Sequence, residues 1–178
     1  MRGRKRIAVL CSGGGSNLQA ILDAVTRGEI HGDVVLVLSN RKSAYALERA
    51  RQAGIAARFL SRKDLGGRYD ARMLDALQEA RADLVVLARY PASIGPEVLE
   101  ACGGRLINTQ PPPLPAFGGP GMYARPVHDA GVAYGATGSG STVRFVDGPD
   151  HQGPGMAERV SPVLDRDGPQ VPAGRVLP

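Results

Sequence analysis

Residues 7–25 read IAVLCSGGGSNLQAILDAV, which joins an apolar run to a glycine-rich turn and then to an amphipathic segment. The apolar residues of that segment recur at i, i+3, i+4 and i+7, which is the spacing of one helical face. Ser16 is the predicted N-cap of this helix and Gly28 its predicted stop. Val34–Leu38 (VVLVL) is the next apolar, β-branched run. Strand, helix and strand within about 30 residues predict a βαβ unit with a parallel sheet.

The same alternation continues to residue 108. Runs that are apolar throughout fit strands buried on both faces, as in parallel sheets. We therefore expect an α/β, Rossmann-like fold with a mainly parallel central sheet over residues 6–108. The predicted helices are Ala44–Gln52, Tyr69–Ala80 and Pro96–Ala101, and the predicted strands are Ala57–Leu60, Leu84–Leu87 and Arg105–Asn108.

The second half of the sequence has a different texture. Residues 109–178 are rich in glycine and proline, which interrupt regular structure. A helix is predicted at Val127–Tyr134 and a strand at Thr142–Val146, and little amphipathic pattern follows Asp147. Both halves are expected to form a single domain, 1–178.

The charge balance is modestly basic. Lys and Arg number 22 and Asp and Glu 17, which gives a formal net charge of +5. Such a chain can bind a small anion or nucleic acid. A nucleic-acid or regulatory binding module is the weakest hypothesis, because aromatic platforms and a basic stripe are missing. The N-terminal cluster is expected to be a solvated tail; it comprises Arg2, Arg4, Lys5 and Arg6.

Cysteine usage and hydropathy favour a cytoplasmic protein without a membrane span. Cys11 and Cys102 form neither a CxxC motif nor a disulfide framework, and Cys11 is expected to be buried. No run of about 18 apolar residues and no signal peptide is recognised.

The turn Ser12–Asn17 has the properties of a phosphate-binding site. Glycines let the backbone approach an anion, and the helix that follows offers N–H groups and a partial positive charge. Ser16 and Asn17 add side-chain donors. The turn is neither G-x-G-x-x-G nor a Walker loop, which favours a mononucleotide-type phosphate. A tight turn required only for packing is the alternative.

Five segments carry a resemblance to a known family. They are SGGGSNLQAIL (12–22), SNRKSAYALERARQAGIA (39–56), DLVVLA (83–88), RLINTQPPPLPAFGG (105–119) and GATGSGSTVRFVD (135–147). Together they resemble the glycinamide ribonucleotide formyltransferases of purine synthesis. The resemblance implies the formyltransferase fold and transfer of a formyl group from 10-formyltetrahydrofolate to glycinamide ribonucleotide, without a metal. It also implies a phosphate-binding half, 6–108, and a catalytic and folate-binding half, 109–178.

The resemblance also implies site residues. Gly15, Ser16 and Asn17 match the family residues that hold the ribonucleotide phosphate. Asn108 matches the family's catalytic asparagine and is also implied on the folate side. Its amide can donate a hydrogen bond to the oxyanion of a tetrahedral intermediate.

The catalytic segment departs from the family pattern Asn-x-His-Pro. Gln110 stands in place of the histidine, and a glutamine amide can donate a hydrogen bond but cannot transfer a proton usefully. Loss of a general acid or base typically costs about 10²–10⁴ in rate. The family's aspartate falls on His151 without a gap and on Asp150 with a one-residue slip. An inverted pair, with His151 as the acid and Gln110 as a donor, is a third alternative.

The folate side departs as well. The family's Met-Arg-Ile-Leu stretch, which lines the pterin pocket through its backbone, reads Pro91-Ala92-Ser93-Ile94, and proline lacks one backbone donor. A family arginine falls at Gly66, with Arg68 or Arg62 as substitutes. The C-terminal part is expected to be shortened relative to the family. The remaining histidines, His31 and His128, are expected to be structural.

Two functional hypotheses follow from the resemblance. The first is a phosphoribosylglycinamide formyltransferase of de novo purine biosynthesis, with activity impaired by the change to Gln110. The second is an inactive relative that binds a phosphoribosyl ligand without turnover. Both predict small-molecule substrates, no nucleic-acid or membrane partner, and a monomer or homodimer.

Overall fold

The structure is a computed structural model of the 178-residue chain and describes residues 3–110, 138–148, 153–162 and 164. Within these residues, strands and helices alternate up to residue 110. The strands are β1 (Lys5–Leu10), β2 (Gly32–Ser39), β3 (Ala56–Phe59), β4 (Leu84–Ala88), β5 (Leu106–Gln110), β6 (Gly138–Phe145) and β7 (Gly155–Pro162). The α-helices are α1 (Ser16–Thr26), α2 (Tyr45–Gln52), α3 (Arg62–Leu65), α4 (Tyr69–Glu79) and α5 (Pro96–Ala101).

The chain divides into two compact units. The first unit comprises Met1–Asn108 and Phe145–Gly153, and the second comprises Thr109–Arg144 and Pro154–Pro178. In the first unit the strand order is β3-β2-β1-β4-β5, and β1 pairs in parallel with both β2 and β4. The predicted α/β, Rossmann-like fold with a mainly parallel sheet is confirmed.

Apolar side chains cover both faces of the first unit's sheet. Alternate residues of a strand point to opposite faces, so Ala8 and Leu10 pack with the α4 and α5 side chains. Ile7 and Val9 pack with those of α1 and α2. This two-sided burial explains why β1 and its neighbours read as continuous apolar runs.

The predicted elements before residue 108 are confirmed with shifts of one or two residues at their ends. The amphipathic pattern of α4 is borne out, because Tyr69, Met73 and Leu77 are all buried. Cys11 is buried as expected, and burial raises the pKa of its thiol to about 12. No helix among the described residues is long and apolar enough to cross a membrane.

The described part of the N-terminal basic cluster is solvent-exposed, as expected, but the expectation that it forms a tail is wrong. β1 already begins at Lys5. Arg4 donates from Nε to Asp33 Oδ1 at 2.8 Å, and Arg6 donates from Nε to the Ala80 carbonyl at 2.9 Å. These basic side chains are exposed, yet their hydrogen bonds join the start of β1 to β2 and to the residue that follows α4.

Three regular elements were not predicted. The short helix α3 is capped by Ser61, whose Oγ accepts from Asp64 N at 3.2 Å, and a 3₁₀ turn at Gly66–Arg68 follows it. In the second unit, β7 pairs antiparallel with β6. The β7 sequence GMAERVSP has no apolar–polar alternation, so its extended form depends on the partner strand rather than on its own pattern. The predicted helix at 127–134 lies outside the described residues.

Candidate active site

The glycine-rich loop connects β1 to α1 at the carboxyl end of β1. Cys11 N donates to the Leu38 carbonyl at 2.9 Å, which continues the pairing with β2 into the loop. Ser12 is buried, and its Oγ donates to Asn40 Oδ1 at 2.6 Å. Gly13 and Gly14 are exposed, with open space where a side chain would stand. The loop therefore leaves the sheet on a fixed path and then presents bare backbone to solvent.

Gly15 cannot be replaced without cost, for two separate reasons. Its φ of 77° lies in the left-handed region that favours glycine. A Cβ at this position would also lie 2.8 Å from the Ala46 Cβ and 2.9 Å from its Cα, which is too close for two carbon atoms. Gly15 is also the residue that flanks α1, so the prediction of Ser16 as the N-cap is wrong by one position.

The N-terminus of α1 gives the loop the chemistry of an anion site. The first N–H groups of an α-helix have no partner within the helix, and the helix dipole places partial positive charge there. Gly15 has no side chain that could cap them, and no acidic residue lies in the first turn. Gly15, Ser16 and Asn17 are partly exposed. A phosphate group placed here would meet backbone donors and no carboxylate of that turn.

The α2 helix donates hydrogen bonds to the carbonyl groups of the glycine-rich loop. Ala46 N donates to the Gly13 carbonyl at 3.1 Å, and Arg49 Nε donates to the Gly14 carbonyl at 2.8 Å. Arg49 Nη1 also donates to Gln19 Oε1 at 2.9 Å, so the same guanidinium ties α2 to α1. The loop conformation is therefore determined by α2 as much as by its own glycines.

Asn108 lies in β5 and is 3% exposed. Val85 N donates to the Arg105 carbonyl at 2.8 Å, so the beginnings of β4 and β5 lie side by side and the two strands run in the same direction. On the same strand, the Leu106 carbonyl accepts from Val146 N at 2.9 Å. Asn108 is thus a buried polar residue near the carboxyl end of its strand.

The segment that follows β4 is held by a cluster of side chains. The hydroxyls of Tyr69 and Tyr90 lie 2.5 Å apart and are buried. Burial raises the pKa of both tyrosines above their usual value, because it disfavours the charged phenolate. Arg62 stacks on the Tyr69 ring, 4.5 Å from its centroid, and donates from Nη2 to the Ser93 carbonyl at 2.9 Å.

A second arrangement fixes the far end of this segment. The Asp70 carboxylate accepts from Gly95 N at 3.0 Å, Glu97 N at 3.1 Å and Val98 N at 3.4 Å, and so it caps α5 from α4. A Cβ on Gly95 would overlap that carboxylate. Ile94, between the two attachments, is 1% exposed.

These features surround the point where the strand order reverses. The chain runs from β1 outward to β2 and β3 and then returns to β4 on the other side of β1. In open α/β sheets, ligands bind outside the carboxyl ends of the strands at this point. The glycine-rich loop follows β1 and the segment 89–95 follows β4, so both flank the expected crevice.

Comparison with known proteins identifies the family. The family model described as "Formyl transferase" matches residues 5–176. The chain belongs to the formyl transferase family. It is 37% identical to the phosphoribosylglycinamide formyltransferase of Escherichia coli K12, over 90% of this chain and 74% of that protein. It is 38% identical to the chloroplastic phosphoribosylglycinamide formyltransferase of Vigna unguiculata, over 98% of this chain but only 56% of that protein.

A solved structure of the formyl transferase family agrees with the fold. The glycinamide ribonucleotide transformylase 1 of Symbiobacterium toebii superimposes with a TM-score of 0.89 at 38% identity. The match covers 99% of this chain and 82% of that one. The arrangement of α2, the glycine-rich loop and the segment after β4 is therefore built on a formyl transferase framework.

The structure brings together only part of the predicted site. Gly15–Asn17, Pro91–Ile94 and Asn108 all lie in the first unit, after or near the ends of β1, β4 and β5. Gln110 ends β5, and its side chain lies outside what the structure describes. Asp150 and His151 also lie outside the described residues, as does His128. His31 is exposed.

Several residues that support the candidate site were not predicted from the sequence. Arg89 has a φ of 57°, a conformation that favours glycine, and it starts the segment after β4. The Tyr69–Tyr90 pair joins residues that are 21 positions apart. Neither feature follows a local sequence pattern, although the Asp70 cap has a partial signal in the Gly95-Pro96 helix start. Arg62, named as a possible substitute for the arginine missing at Gly66, contacts Ser93.

Proposed function

We propose that the chain is a phosphoribosylglycinamide formyltransferase, which transfers a formyl group from 10-formyltetrahydrofolate to the amine of glycinamide ribonucleotide. The chain spans about 56% and 61% of the two plant relatives named for this activity. The observation that supports the proposal most is the glycine-rich loop at the carboxyl end of β1, within a formyl transferase framework. Residues 1–178 would form a single formyltransferase-like domain that acts on small molecules in the cytoplasm.

The ribonucleotide phosphate would bind at Gly15, Ser16 and Asn17. Backbone N–H groups at a helix N-terminus suit a dianion because they need no proton exchange and no side-chain movement. The αL conformation of Gly15 turns the chain sharply into α1. The ribose and glycinamide amine would then extend from the phosphate toward the ends of β4 and β5.

The chemical step is attack of the substrate amine on the formyl carbon. The new C–N bond forms an oxyanion, and collapse of the tetrahedral intermediate breaks the bond between that carbon and N10 of the folate. The Asn108 amide would donate a hydrogen bond to the oxyanion, and burial in a site of low polarity strengthens such a bond. Gln110 would supply a second donor.

The proton of the attacking amine must reach N10 of the leaving folate. Gln110 cannot carry it, because an amide neither accepts nor releases a proton near neutral pH. A water molecule, or one of Asp150 and His151, would have to do so. We therefore propose a transferase with a low turnover rate, about 10²–10⁴ below that expected with a general acid in this place.

The formyl donor would lie along Pro91–Ile94. The backbone of this segment would contact the pterin, and Pro91 contributes a carbonyl but no N–H. The tyrosine pair and Arg62 support the proposal because they fix this segment, through the Tyr69–Tyr90 hydrogen bond and the bond from Arg62 to the Ser93 carbonyl. Family membership supports the choice of 10-formyltetrahydrofolate as the donor.

A binding protein without turnover is the second candidate, and Gln110 is the observation that favours it. The test is the release of the deformylated product from a 10-formylfolate analogue, with and without glycinamide ribonucleotide. Product that appears only with the ribonucleotide supports the transferase. Saturable ribonucleotide binding with no product supports the second candidate.

Replacing Gln110 by histidine completes this test. A rate increase in the Gln110→His variant of about 10²-fold or more would show that the remaining site is competent. No increase would place the deficit in the folate segment or in the second unit. If neither the wild type nor the Gln110→His variant binds the ribonucleotide, both candidate functions are contradicted.

A further inference from the structure

We propose that Arg49 is a positioning residue, which orients the Gly14–Gly15 peptide so that the loop N–H groups face the substrate phosphate. The inference rests on the proposed phosphate site at Gly15–Asn17. Arg49 lies on α2, outside that set of residues, and it contacts the loop through a carbonyl oxygen. Its role would be to hold the backbone rather than to bind the anion.

Two peptide units of the loop have orientations that are fixed by the contacts of their carbonyl groups. The Gly13 carbonyl accepts from Ala46 N at 3.1 Å, and the Gly14 carbonyl accepts from Arg49 Nε at 2.8 Å. In a trans peptide the carbonyl and the following N–H point in opposite directions. Because both carbonyls point toward α2, the N–H groups of Gly14 and Gly15 point away from it.

This orientation decides whether the loop attracts or repels an anion. A flipped Gly14–Gly15 peptide would turn a carbonyl oxygen, with its partial negative charge, outward in place of an N–H group. Glycine residues resist such a flip weakly, because they lack a Cβ and populate both signs of φ. A loop of three consecutive glycines therefore needs an external contact to keep one orientation.

Arg49 is itself held in place on three sides. Nε donates to Gly14 and Nη1 donates to Gln19 Oε1 at 2.9 Å, while the guanidinium carbon lies 5.0 Å from the centroid of the Tyr45 ring. Gln19 Nε2 in turn donates to Asp23 Oδ1 at 2.9 Å, which fixes the direction of the Gln19 amide. The planar fork of arginine can make both directed bonds at once, whereas the point charge of lysine cannot reproduce that geometry.

The test is calorimetric titration of glycinamide ribonucleotide into the wild type and into Arg49→Lys, Arg49→Met and Arg51→Met. Arg51 is the matched control, since it lies on the same helix and, among the described residues, its side chain makes only an exposed ion pair with Glu48 at 3.5 Å. We expect both Arg49 variants to bind about tenfold more weakly, as for the loss of one hydrogen bond to a charged group. Arg51→Met should bind like the wild type.

The lysine variant separates orientation from charge. If Arg49→Lys binds like the wild type while Arg49→Met does not, positive charge alone accounts for the effect and the inference is overturned. Affinity equal to that of the wild type in both Arg49 variants also overturns it but leaves the phosphate site intact. If the wild type itself does not bind the ribonucleotide, the proposed phosphate site fails, and the inference fails with it.

A second variant keeps the test decisive if the Arg49 variants do not fold. Gln19→Leu leaves Arg49 in place and removes one of its two hydrogen-bond acceptors. We expect about threefold weaker ribonucleotide binding, in line with the loss of a single neutral acceptor. Affinity unchanged in Gln19→Leu, with a native melting temperature, would count against the positioning role.

Discussion

The glycine-rich loop after β1 and the segment after β4 follow two neighbouring strands at the point where the strand order reverses, yet they are held in different ways. The loop consists of backbone whose carbonyls are taken up by α2. The segment is held by side chains, through the Tyr69–Tyr90 pair and the Asp70 cap. A substitution in the loop should therefore damage anion binding directly. A substitution behind the segment should act through packing.

The largest effect is expected from Gly15→Ala. The left-handed φ costs about 1–2 kcal/mol for a residue with a Cβ, and the overlap with Ala46 adds about 1–3 kcal/mol. The free energy of unfolding, measured by chemical denaturation, should fall by about 3 kcal/mol, and ribonucleotide binding should be lost.

Gly28→Ala is the matched control for Gly15→Ala. Gly28 lies at the other end of α1 with a φ of 76°, but no atom stands within 4 Å of its missing Cβ. Only the backbone strain applies to Gly28→Ala. We therefore expect the free energy of unfolding to fall by about 1 kcal/mol, with ribonucleotide binding unchanged. Equal losses for the two variants would show that the Ala46 contact is unimportant.

The next largest effect concerns the buried tyrosines. Tyr69→Phe leaves the Tyr90 hydroxyl buried without its partner, which should lower the free energy of unfolding by about 1–3 kcal/mol. The double variant Tyr69→Phe/Tyr90→Phe removes both polar groups and should recover most of that loss. The KM for the formyl donor should rise in Tyr69→Phe, while ribonucleotide affinity stays unchanged. Additive losses in the double variant would contradict coupling between the two hydroxyls.

The Asp70 cap should have a smaller effect on stability. Asp70→Ala removes the acceptor for three backbone N–H groups of the α5 start, and loss of a cap typically costs about 0.5–2 kcal/mol. Asp75→Ala on the same helix is the control, since Asp75 makes only an exposed ion pair with Arg72. Stability is measured by thermal melting. If Asp70→Ala and Asp75→Ala lower the Tm equally, a specific cap is ruled out.

The smallest effect is a dependence of stability on alkaline pH. The folded-state pKa of both tyrosines lies above the usual value of 10.0, so the unfolded chain releases their protons first as the pH rises. Their stabilising contribution is complete below pH 10 and is lost progressively above it. The double phenylalanine variant should show a shallower decline than the wild type in denaturation series above pH 10. If the free energy of unfolding declines with pH equally in the wild type and in the double variant, the tyrosine pair is excluded as the source of the pH dependence.

The sequence predicts the loop better than the segment, and the comparison explains why. Apolar runs with a helical or extended period determine β1, α1, β2 and α4, because each buries a continuous face. The loop is visible because three consecutive glycines stand between an apolar run and an amphipathic segment. The Tyr69–Tyr90 contact, and the hydrogen bonds that α2 donates to the loop carbonyls, arise only when distant parts of the chain pack together.

Other misses have the same physical origin. β7 is extended because β6 pairs with it, not because its residues alternate. Arg4 and Arg6 are fastened by an aspartate and a carbonyl that lie far away in the chain. Asn108 was named as a site residue through the family resemblance. An asparagine at the end of a strand does not by itself predict that the side chain is buried, as it is here.

The central claim is that the loop after β1 binds the phosphate of a ribonucleotide. Its most direct test compares the binding of glycinamide ribonucleotide with that of the same compound lacking the phosphate, by calorimetric titration. Two charge-assisted hydrogen bonds correspond to a difference of about 100-fold or more. We predict that difference for the wild type and its disappearance in Gly15→Ala. Equal affinity of the wild type for both compounds would contradict the account.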